Sequence, residues 1–350
     1  MARRDNSRQR NKGKSDQKSV KARNSGAGRS GTAKETREAI TYGTSAEDWK
    51  SQVSVSVETD AQLKAVLSVN AVKCIYVDEA CFGFSGDANA SETGKAKDKK
   101  EAEAEAFAEI IRGIHGAGKI AGLRLRRIER DTDPCLDSLE LIQRLMDKDS
   151  APDVILIRSY DEAMMLSELE TSESGNKGLS HIKKVFDYTC YGYNTEAVSM
   201  LLELGAEKLT YPIELTYREC VDLRHALRDR EDRMAQIPYD VLVYGHLPMM
   251  VSANCIQRTS DRCDHRNRIL KLRDRMQKDM PVRCYCKYCY NQIFNAEPLV
   301  LYDCESEIYQ LDPEYVRYDF TVETGREVLS VLSGAIPKNI TRGHFRHGIE

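Results

Sequence analysis

The 350-residue sequence has no apolar run that approaches the roughly 18 residues of a membrane span. Its opening residues, 1–5, lead into more charge and not into the apolar segment of a secretory signal. We therefore expect a cytoplasmic protein without a membrane partner. In that compartment the eleven cysteines are expected to be reduced thiols or metal ligands, because disulfides are rare there.

Aromatic residues are absent from the first part of the chain, where Tyr42 is the first to occur. Residues 1–38 contain twelve Lys or Arg and four Asp or Glu, a net charge of +8 in a chain whose total is −3. A segment with so few apolar side chains cannot bury enough surface to fold, so residues 1–45 are predicted to be a disordered basic tail. The tail is either an electrostatic arm for RNA or a solvated segment with no specific partner.

Several catalytic motifs are missing as well. No Gly-x-Gly-x-x-Gly follows the first predicted strand, which disfavours an open dinucleotide-binding sheet. The sequence has no His-Glu-x-x-His, no Gly-x-Ser-x-Gly and no cysteine-protease signature. A peptidase activity would therefore need a site of another kind.

Strands and helices alternate along residues 50–245. This alternation predicts an α/β fold, a TIM-barrel-like (β/α) parallel barrel over residues 50–350. Within it we expect a flexible insertion at 85–105 that becomes helical, and a cysteine-rich loop region at 250–295 after the seventh strand. The predicted strands are Val53–Val57, Cys74–Val77, Ile120–Leu125, Val154–Arg158, Val185–Tyr191, Lys208–Pro212 and Asp240–Tyr244, and the predicted helices are Ala61–Val69, Ala106–His115, Leu136–Asp147, Asp161–Leu169, Thr195–Leu204 and Tyr217–Asp229.

Polar residues follow most of the predicted strands. In a barrel, the ends of the strands form the face that carries the active site. Each such residue is a candidate for the site, with a place on the rim as the alternative. The candidates are Asp78, Glu79, Arg124, Arg126, Arg158, Tyr191, Glu214, Tyr244 and His246.

Five of the eleven cysteines fall within residues 255–289. Cys286-x-x-Cys289 can present two sulfurs to one metal, and Cys255 and Cys263 can supply two more. The spacing is compatible with a four-iron cluster, a structural zinc or unligated buried thiols. Zinc ribbons usually have two Cys-x-x-Cys pairs, so the single pair favours an iron–sulfur site. His265 either replaces one ligand or is a surface histidine.

The other six cysteines are dispersed, and several lie in apolar strands or helices. They are predicted to be small buried hydrophobic residues. They are Cys74, Cys81, Cys135, Cys190, Cys220 and Cys304.

Several segments together resemble the collagenase-like U32 peptidase family, particularly the carboxy-terminal module of its long bacterial members. The clear matches cover roughly residues 205–350. The matching segments are 244–255 (Tyr-Gly-His-Leu-Pro-Met-Met-Val-Ser-Ala-Asn-Cys), 272–275 (Leu-Arg-Asp-Arg), 281–291 (Pro-Val-Arg-Cys-Tyr-Cys-Lys-Tyr-Cys-Tyr-Asn), 295–299 (Asn-Ala-Glu-Pro-Leu), 317–321 (Arg-Tyr-Asp-Phe-Thr) and 341–348 (Thr-Arg-Gly-His-Phe-Arg-His-Gly).

The resemblance implies a barrel-like fold with an oxygen-sensitive iron–sulfur cluster. Carried over to this sequence, the ligands are Cys255, Cys263, Cys286 and Cys289, and Cys284 is a spare thiol. The family is named for protease activity, while other members support hydroxylation of pyrimidines in transfer or ribosomal RNA, or of a quinone precursor. This chain lacks the amino-terminal barrel and middle domain of the long members, and the Asn-Arg-Gly-x-Cys stretch of the short ones.

Three functions remain open from the sequence. The first is an iron–sulfur protein that supports RNA hydroxylation, with the basic tail as its RNA-binding arm. The second is a peptidase whose site involves Glu214, His246 and a metal. The third is a non-catalytic partner subunit of a longer family member.

Overall fold

The computed structural model describes residues 52–83, 93–128, 137–171, 179–230 and 232–348. The predicted basic tail, the first part of the predicted insertion (up to residue 92) and Cys135 lie outside the described residues.

Eight strands pair in parallel, each with the next along the barrel, and the last closes onto the first. At the closure, Val55 of the first strand lies opposite Tyr318 of the last. The predicted TIM-barrel-like fold is therefore confirmed. The strands are β1 (Val53–Val57), β2 (Val72–Asp78), β3 (Ile120–Arg124), β4 (Val154–Ile157), β5 (Lys183–Phe186), β6 (Lys208–Thr210), β7 (Tyr239–Gly245) and β13 (Tyr315–Asp319).

The helices lie between successive barrel strands, except that α9 follows the last strand, and their apolar faces join those of the strands in one core. Three helices begin with reciprocal capping boxes, in which a Thr side chain and the third residue of the helix bond each other's backbone N–H. The helices of the barrel are α1 (Asp60–Leu67), α2 (Thr93–Gly116), α3 (Ser138–Asp147), α4 (Tyr160–Thr171), α5 (Thr195–Glu203), α6 (Tyr217–Arg228), α8 (Glu305–Gln310) and α9 (Gly325–Leu332).

Helix α2 is longer than the sequence predicted. It begins at Thr93 and not near Ala106, so residues 93–105 of the predicted flexible insertion are helical. The stretch is rich in Ala, Glu and Lys, which favour helices. It also faces α3, where Lys148 pairs with Glu101 at 2.6 Å and Glu105 at 2.9 Å.

A second sheet is inserted between β7 and the last barrel strand. We call residues 248–294 the inserted sheet. Its strands are all antiparallel and lie in the order β8-β11-β10-β9. The elements are β8 (Pro248–Ser252), the short helix α7 (Ile256–Thr259), β9 (Arg268–Arg273), β10 (Asp279–Tyr285) and β11 (Tyr290–Phe294), and a further short strand, β12 (Leu299–Val300), pairs antiparallel with β7.

The sequence predicted a cysteine-rich loop region at this place, and the structure has a folded sheet there. The strand β9, Arg-Ile-Leu-Lys-Leu-Arg, mixes three apolar and three basic residues without strict alternation and is exposed along most of its length. Such a strand lacks a continuous apolar face, so the sequence pattern alone did not reveal it.

Among the described residues, no helix has both the length and the apolar character needed to cross a membrane.

Candidate functional site

The ends of β1, β2, β3 and β13 bring a buried arginine together with three carboxylates. The Arg124 guanidinium contacts Glu58, lies 2.7 Å from the Asp78 carboxylate and 3.9 Å from that of Asp319. Burial opposes the charge on Arg124, but these carboxylates raise its pKa well above the usual value. A guanidinium so enclosed is a fixed positive charge in the floor of the barrel mouth.

A second arginine crosses the interior of the barrel. Arg317, on β13, is fully buried; it pairs with Asp187 at 2.5 Å and with Asp319 at 3.2 Å, and donates to the Thr210 hydroxyl. The Ser56 hydroxyl donates to Asp319 at 2.8 Å. Strand ends from both sides of the barrel are thus joined by one network of charges.

The inserted sheet docks onto this network through β10. The Arg283 side chain lies 2.8 Å from the Glu58 carboxylate and donates to the backbone carbonyls of Glu58 and Thr321. The Tyr285 hydroxyl donates to Glu58 at 3.0 Å. The barrel mouth and the inserted sheet therefore share buried polar contacts.

The turn between β10 and β11 makes a second set of contacts with the barrel. The Tyr288 hydroxyl donates to Glu79 at 2.9 Å, and the Lys287 ammonium pairs with Glu103 and donates to the Glu79 carbonyl. Arg126 stacks on the Tyr288 ring at 4.3 Å. These contacts come from the residues between the two cysteines of the Cys-x-x-Cys pair and fix that turn against the end of β2.

The five clustered cysteines all lie within the inserted sheet. Burial, followed by the charge of neighbouring cysteines, raises the pKa of the Cys286 thiol to about 12. Cys289 has a positive φ of 52°, which bends the backbone within the Cys-x-x-Cys turn. The neighbours that act on Cys286 are Cys284, Cys255, Cys263 and Cys289.

The donor set fits a soft metal, although the sulfurs are not closed around one point. In the described part of the chain, no three His, Cys, Asp or Glu side chains are arranged to hold a metal ion. The Cys286 sulfur instead donates to the Arg266 carbonyl at 3.0 Å. Burial raises the pKa of the Cys284 and Cys286 thiols, so these two stay protonated until a thiophilic cation takes the place of the proton.

His246 directly follows β7, which is two strands from β1 in the barrel, and it lines one cavity together with Glu58 and Arg124. Its Nδ1 lies 2.7 Å from the Asn295 carbonyl, which can only accept, so Nδ1 carries hydrogen and the neutral ring has an acceptor at Nε2. Nε2 lies 3.9 Å from the Glu323 carboxylate. The Tyr244 hydroxyl and the backbone N–H of Thr321 donate to that carboxylate.

Two cavities meet at His246. A closed one of about 20 Å³ lies under the inserted sheet and has room for about one water molecule. A larger one of about 430 Å³ lies between β7 and α9, lined by Glu323, Val331 and Ile336. His246 can exchange a proton with a group bound in the larger cavity.

The sequence-predicted strand-end residues divide into two groups. Tyr191 is 48% exposed, and Glu214 is hydrogen-bonded to Tyr193; neither lines the cavities beside His246. The remaining candidates lie at the mouth or in the docking contacts of the inserted sheet. They are Asp78, Glu79, Arg124, Arg126, Arg158, Tyr244 and His246.

The isolated cysteines and His265 are also placed. Cys74, Cys190, Cys220 and Cys304 are buried, as predicted, and Cys81 is half-buried. His265 is exposed.

Sequence reasoning missed Glu58, Asp187, Arg317, Asp319 and Glu323. Glu58 directly follows the predicted strand Val53–Val57, so its position was available. Asp187 was missed because the fifth strand was predicted to extend to Tyr191, whereas β5 ends at Phe186. The other three lie on or after β13, which the sequence pattern did not identify.

No family model matches the sequence, and no curated protein matches it. Solved structures share the barrel at low similarity. The U32 peptidase Mk0906 is 12% identical, with 78% of this chain and 94% of that chain covered and a TM-score of 0.40. Thiamine phosphate pyrophosphorylase from Pyrococcus furiosus is 8% identical, with 83% of this chain and 98% of that chain covered and a TM-score of 0.36. The Bacillus cereus spore cortex-lytic enzyme SleL is 9% identical, with 83% of this chain and 75% of that chain covered and a TM-score of 0.37.

Proposed function

We propose that this chain is a U32-like iron–sulfur protein that supports hydroxylation of pyrimidine bases in RNA. The main support is that the inserted sheet both contains the clustered cysteines and contacts the barrel mouth. The five cysteines lie within residues 248–294, and strand β10 places Arg283 and Tyr285 on Glu58 at the barrel mouth. A centre held by this sheet would adjoin the place where barrel enzymes bind substrate.

In this proposal Cys255, Cys263, Cys286 and Cys289 hold a 4Fe–4S cluster, with zinc as the alternative metal and Cys284 as the spare thiol. A bound cluster supplies one-electron transfer. The docking contacts of Lys287 and Tyr288 hold the Cys-x-x-Cys turn at a fixed place on the barrel.

The residues of the mouth have separate tasks. Arg124 and Arg158 provide positive charge beneath the sheet, and the sheet excludes bulk water from them. His246 is the acceptor for a proton from the bound group. The basic tail adds salt-dependent RNA affinity, and a longer U32 protein is the expected protein partner.

Metal analysis after purification without oxygen tests the cluster. We expect iron and sulfide in the native protein and a broad visible absorption. Cys286→Ser and Cys289→Ser should lose both, whereas Cys220→Ala, a change at a buried cysteine in α6, should retain them. A colourless protein with one zinc and no iron contradicts the cluster.

Mass spectrometry of RNA tests the reaction. We expect a hydroxylated pyrimidine in transfer or ribosomal RNA to disappear when the gene is deleted and to return with the native gene but not with Cys289→Ser. An intact cluster without any such change in RNA contradicts the hydroxylation and favours the partner-subunit function.

Peptide hydrolysis is the second candidate, and the His246–Glu323 pair beside the 430 Å³ cavity favours it. Two acceptors 3.9 Å apart can hold a water between them and remove its proton. Turnover of gelatin that survives repurification and is lost in His246→Gln would support this function. Equal turnover in the native protein and the variant would refute it.

A further inference from the structure

Charge is strongly segregated within the chain. Residues 248–294, the inserted sheet, contain ten Lys or Arg and four Asp or Glu, a net charge of +6. Outside this sheet and the basic tail (1–38), the remaining residues carry a net charge of −17. The positively charged inserted sheet, next to a negatively charged barrel, should attract a polyanion to this part of the molecule.

Four arginines of the inserted sheet are exposed and have no ion pair within the described residues. Other basic residues of this sheet are partly neutralised: Arg268 pairs with Asp264, and Arg273 pairs with Asp279 at 2.7 Å. We call the four unpaired residues the arginine group. They are Arg258, Arg262, Arg266 and Arg275.

Protection of a free sheet edge does not account for this group. β9 is the outer strand of the inserted sheet and pairs only with β10, and charges on such an edge discourage strand-to-strand association. The arginine group lies outside β9, however, in α7, the loop that follows it and the turn after β9. Arginine suits phosphate because its planar fork can donate two hydrogen bonds to one phosphate.

We propose that the arginine group binds the phosphate backbone of a nucleic acid strand and leads it past the clustered cysteines. Arg258 and Arg262 lie between Cys255 and Cys263 in sequence, and the Arg266 carbonyl is bonded by the Cys286 sulfur. This inference rests on the proposed function, in which the strand is RNA.

The surface reads the backbone and not the bases. The aromatic side chains of the inserted sheet, Tyr285, Tyr288, Tyr290 and Phe294, are all buried, so none is available for base stacking. Binding should therefore depend strongly on salt and weakly on base sequence.

Fluorescence anisotropy with a labelled 20-nucleotide single-stranded RNA, measured over a series of salt concentrations, tests the inference. The full chain is used, so the basic tail is constant. The test variant changes the four residues of the arginine group to Gln. The control removes four charges from exposed, unpaired residues elsewhere, and its substitutions are Lys73→Gln, Arg233→Gln, Arg326→Gln and Lys338→Gln.

We expect the test variant to bind the RNA at least tenfold more weakly at low salt. Its plot of log affinity against log salt should lose a slope of about 0.7 for each phosphate contact removed, up to about 3 in all. In the control variant, both the RNA affinity and the slope of the salt plot should change less than in the test variant. A matching Arg→Lys variant should keep most of the slope, which separates lost charge from lost folding.

Competitors identify the polyanion. DNA of the same sequence should compete, because it shares the phosphate backbone, and weaker competition by DNA than by RNA would assign the strand to RNA. Polyglutamate that competes as well as RNA would indicate an acidic protein and overturn the inference, as would equal losses in the test and control variants. Iron measured in the same variants separates this failure from failure of the cluster.

Discussion

The barrel and the inserted sheet are stabilised in different ways. The barrel strands pair on both sides, and its apolar residues form one large core with the surrounding helices. The inserted sheet has open edges, and its own apolar cluster is small, consisting of Tyr285, Tyr288 and Tyr290 against Ala80. The barrel can therefore stand by itself, whereas the sheet depends on its polar contacts with the mouth and, in our proposal, on a metal.

The polar contacts concentrate on a few carboxylates of the barrel. The Glu58 carboxylate contacts Arg124 of the barrel and also Arg283 and Tyr285 of the inserted sheet. One carboxylate thus serves both parts of the molecule, and changes there should separate them most clearly.

The largest effect is expected for Glu58→Ala. The change leaves two buried guanidinium groups without their shared partner, which should lower the free energy of unfolding by about 3–5 kcal/mol. Denaturant unfolding measures this loss, and limited proteolysis should show earlier cleavage within the inserted sheet. Glu297→Ala, which removes an exposed pair with Lys278, is the control and should cost below about 1 kcal/mol. Equal losses in both variants would refute the shared role of Glu58.

A smaller loss is expected for Gly122→Ala inside the barrel. A Cβ at this position would lie 2.3 Å from the Tyr76 ring, and such overpacking costs about 1–3 kcal/mol. Gly113→Ala, in α2, is the matched change because nothing lies within 4 Å of its Cβ position. It should stabilise the protein by about 0.5–1 kcal/mol. Unfolding curves that shift in the same direction for both variants would contradict this picture of the barrel interior.

The pH dependence of stability tests Glu162 at the start of α4. Burial raises the pKa of its carboxyl from 4.5 to about 7, against the opposing charge of Arg158. The folded state therefore binds this proton more tightly than the unfolded state. The stabilisation that comes from this tighter proton binding is complete below pH 4.5 and is lost as the pH rises through 7.

Glu162→Gln removes that dependence. Relative to the native protein, the variant should gain on the order of 1–2 kcal/mol in unfolding free energy between pH 5 and 7.5. Urea titrations of both proteins over this range measure the difference. If their stabilities run parallel with pH, Glu162 does not hold a proton in the folded protein.

The smallest effect is expected for Arg273→Ala on β9. The Arg273–Asp279 pair is exposed, so its loss should lower the unfolding free energy by less than about 1 kcal/mol. A loss above about 2 kcal/mol would show that the outer strand supports the fold, contrary to the comparison with the barrel.

The sequence predicted the fold well where local pattern and burial agree. All seven strands before residue 245 were placed, because each carries either an apolar run or an alternating apolar pattern, or is marked by the turn and helix signals on either side. The eighth strand has two charged residues that point into the barrel, Arg317 and Asp319, and its sequence lacks the apolar run that marks the others. Its pairing depends on β1, which is far away in the chain.

The site was less predictable because its contacts are non-local. The cysteine spacing marked the segment that folds as the inserted sheet, but the pattern predicted a loop region there and not four antiparallel strands. The contacts of Arg283 with Glu58 and of Tyr288 with Glu79 join residues more than 200 positions apart, and no pattern in either segment announces them.

The position of the inserted sheet also sets the order of events during synthesis. β1 can complete its pairing only with β13, and Ser56 and Asp319, which join across that seam, are 263 residues apart. At about 5–20 residues per second, the first strand waits roughly 13–50 seconds for its neighbour. The cysteines, which lie before β13, all leave the ribosome before the barrel can close. The thiols of the nascent chain are thus synthesised while the barrel is still open.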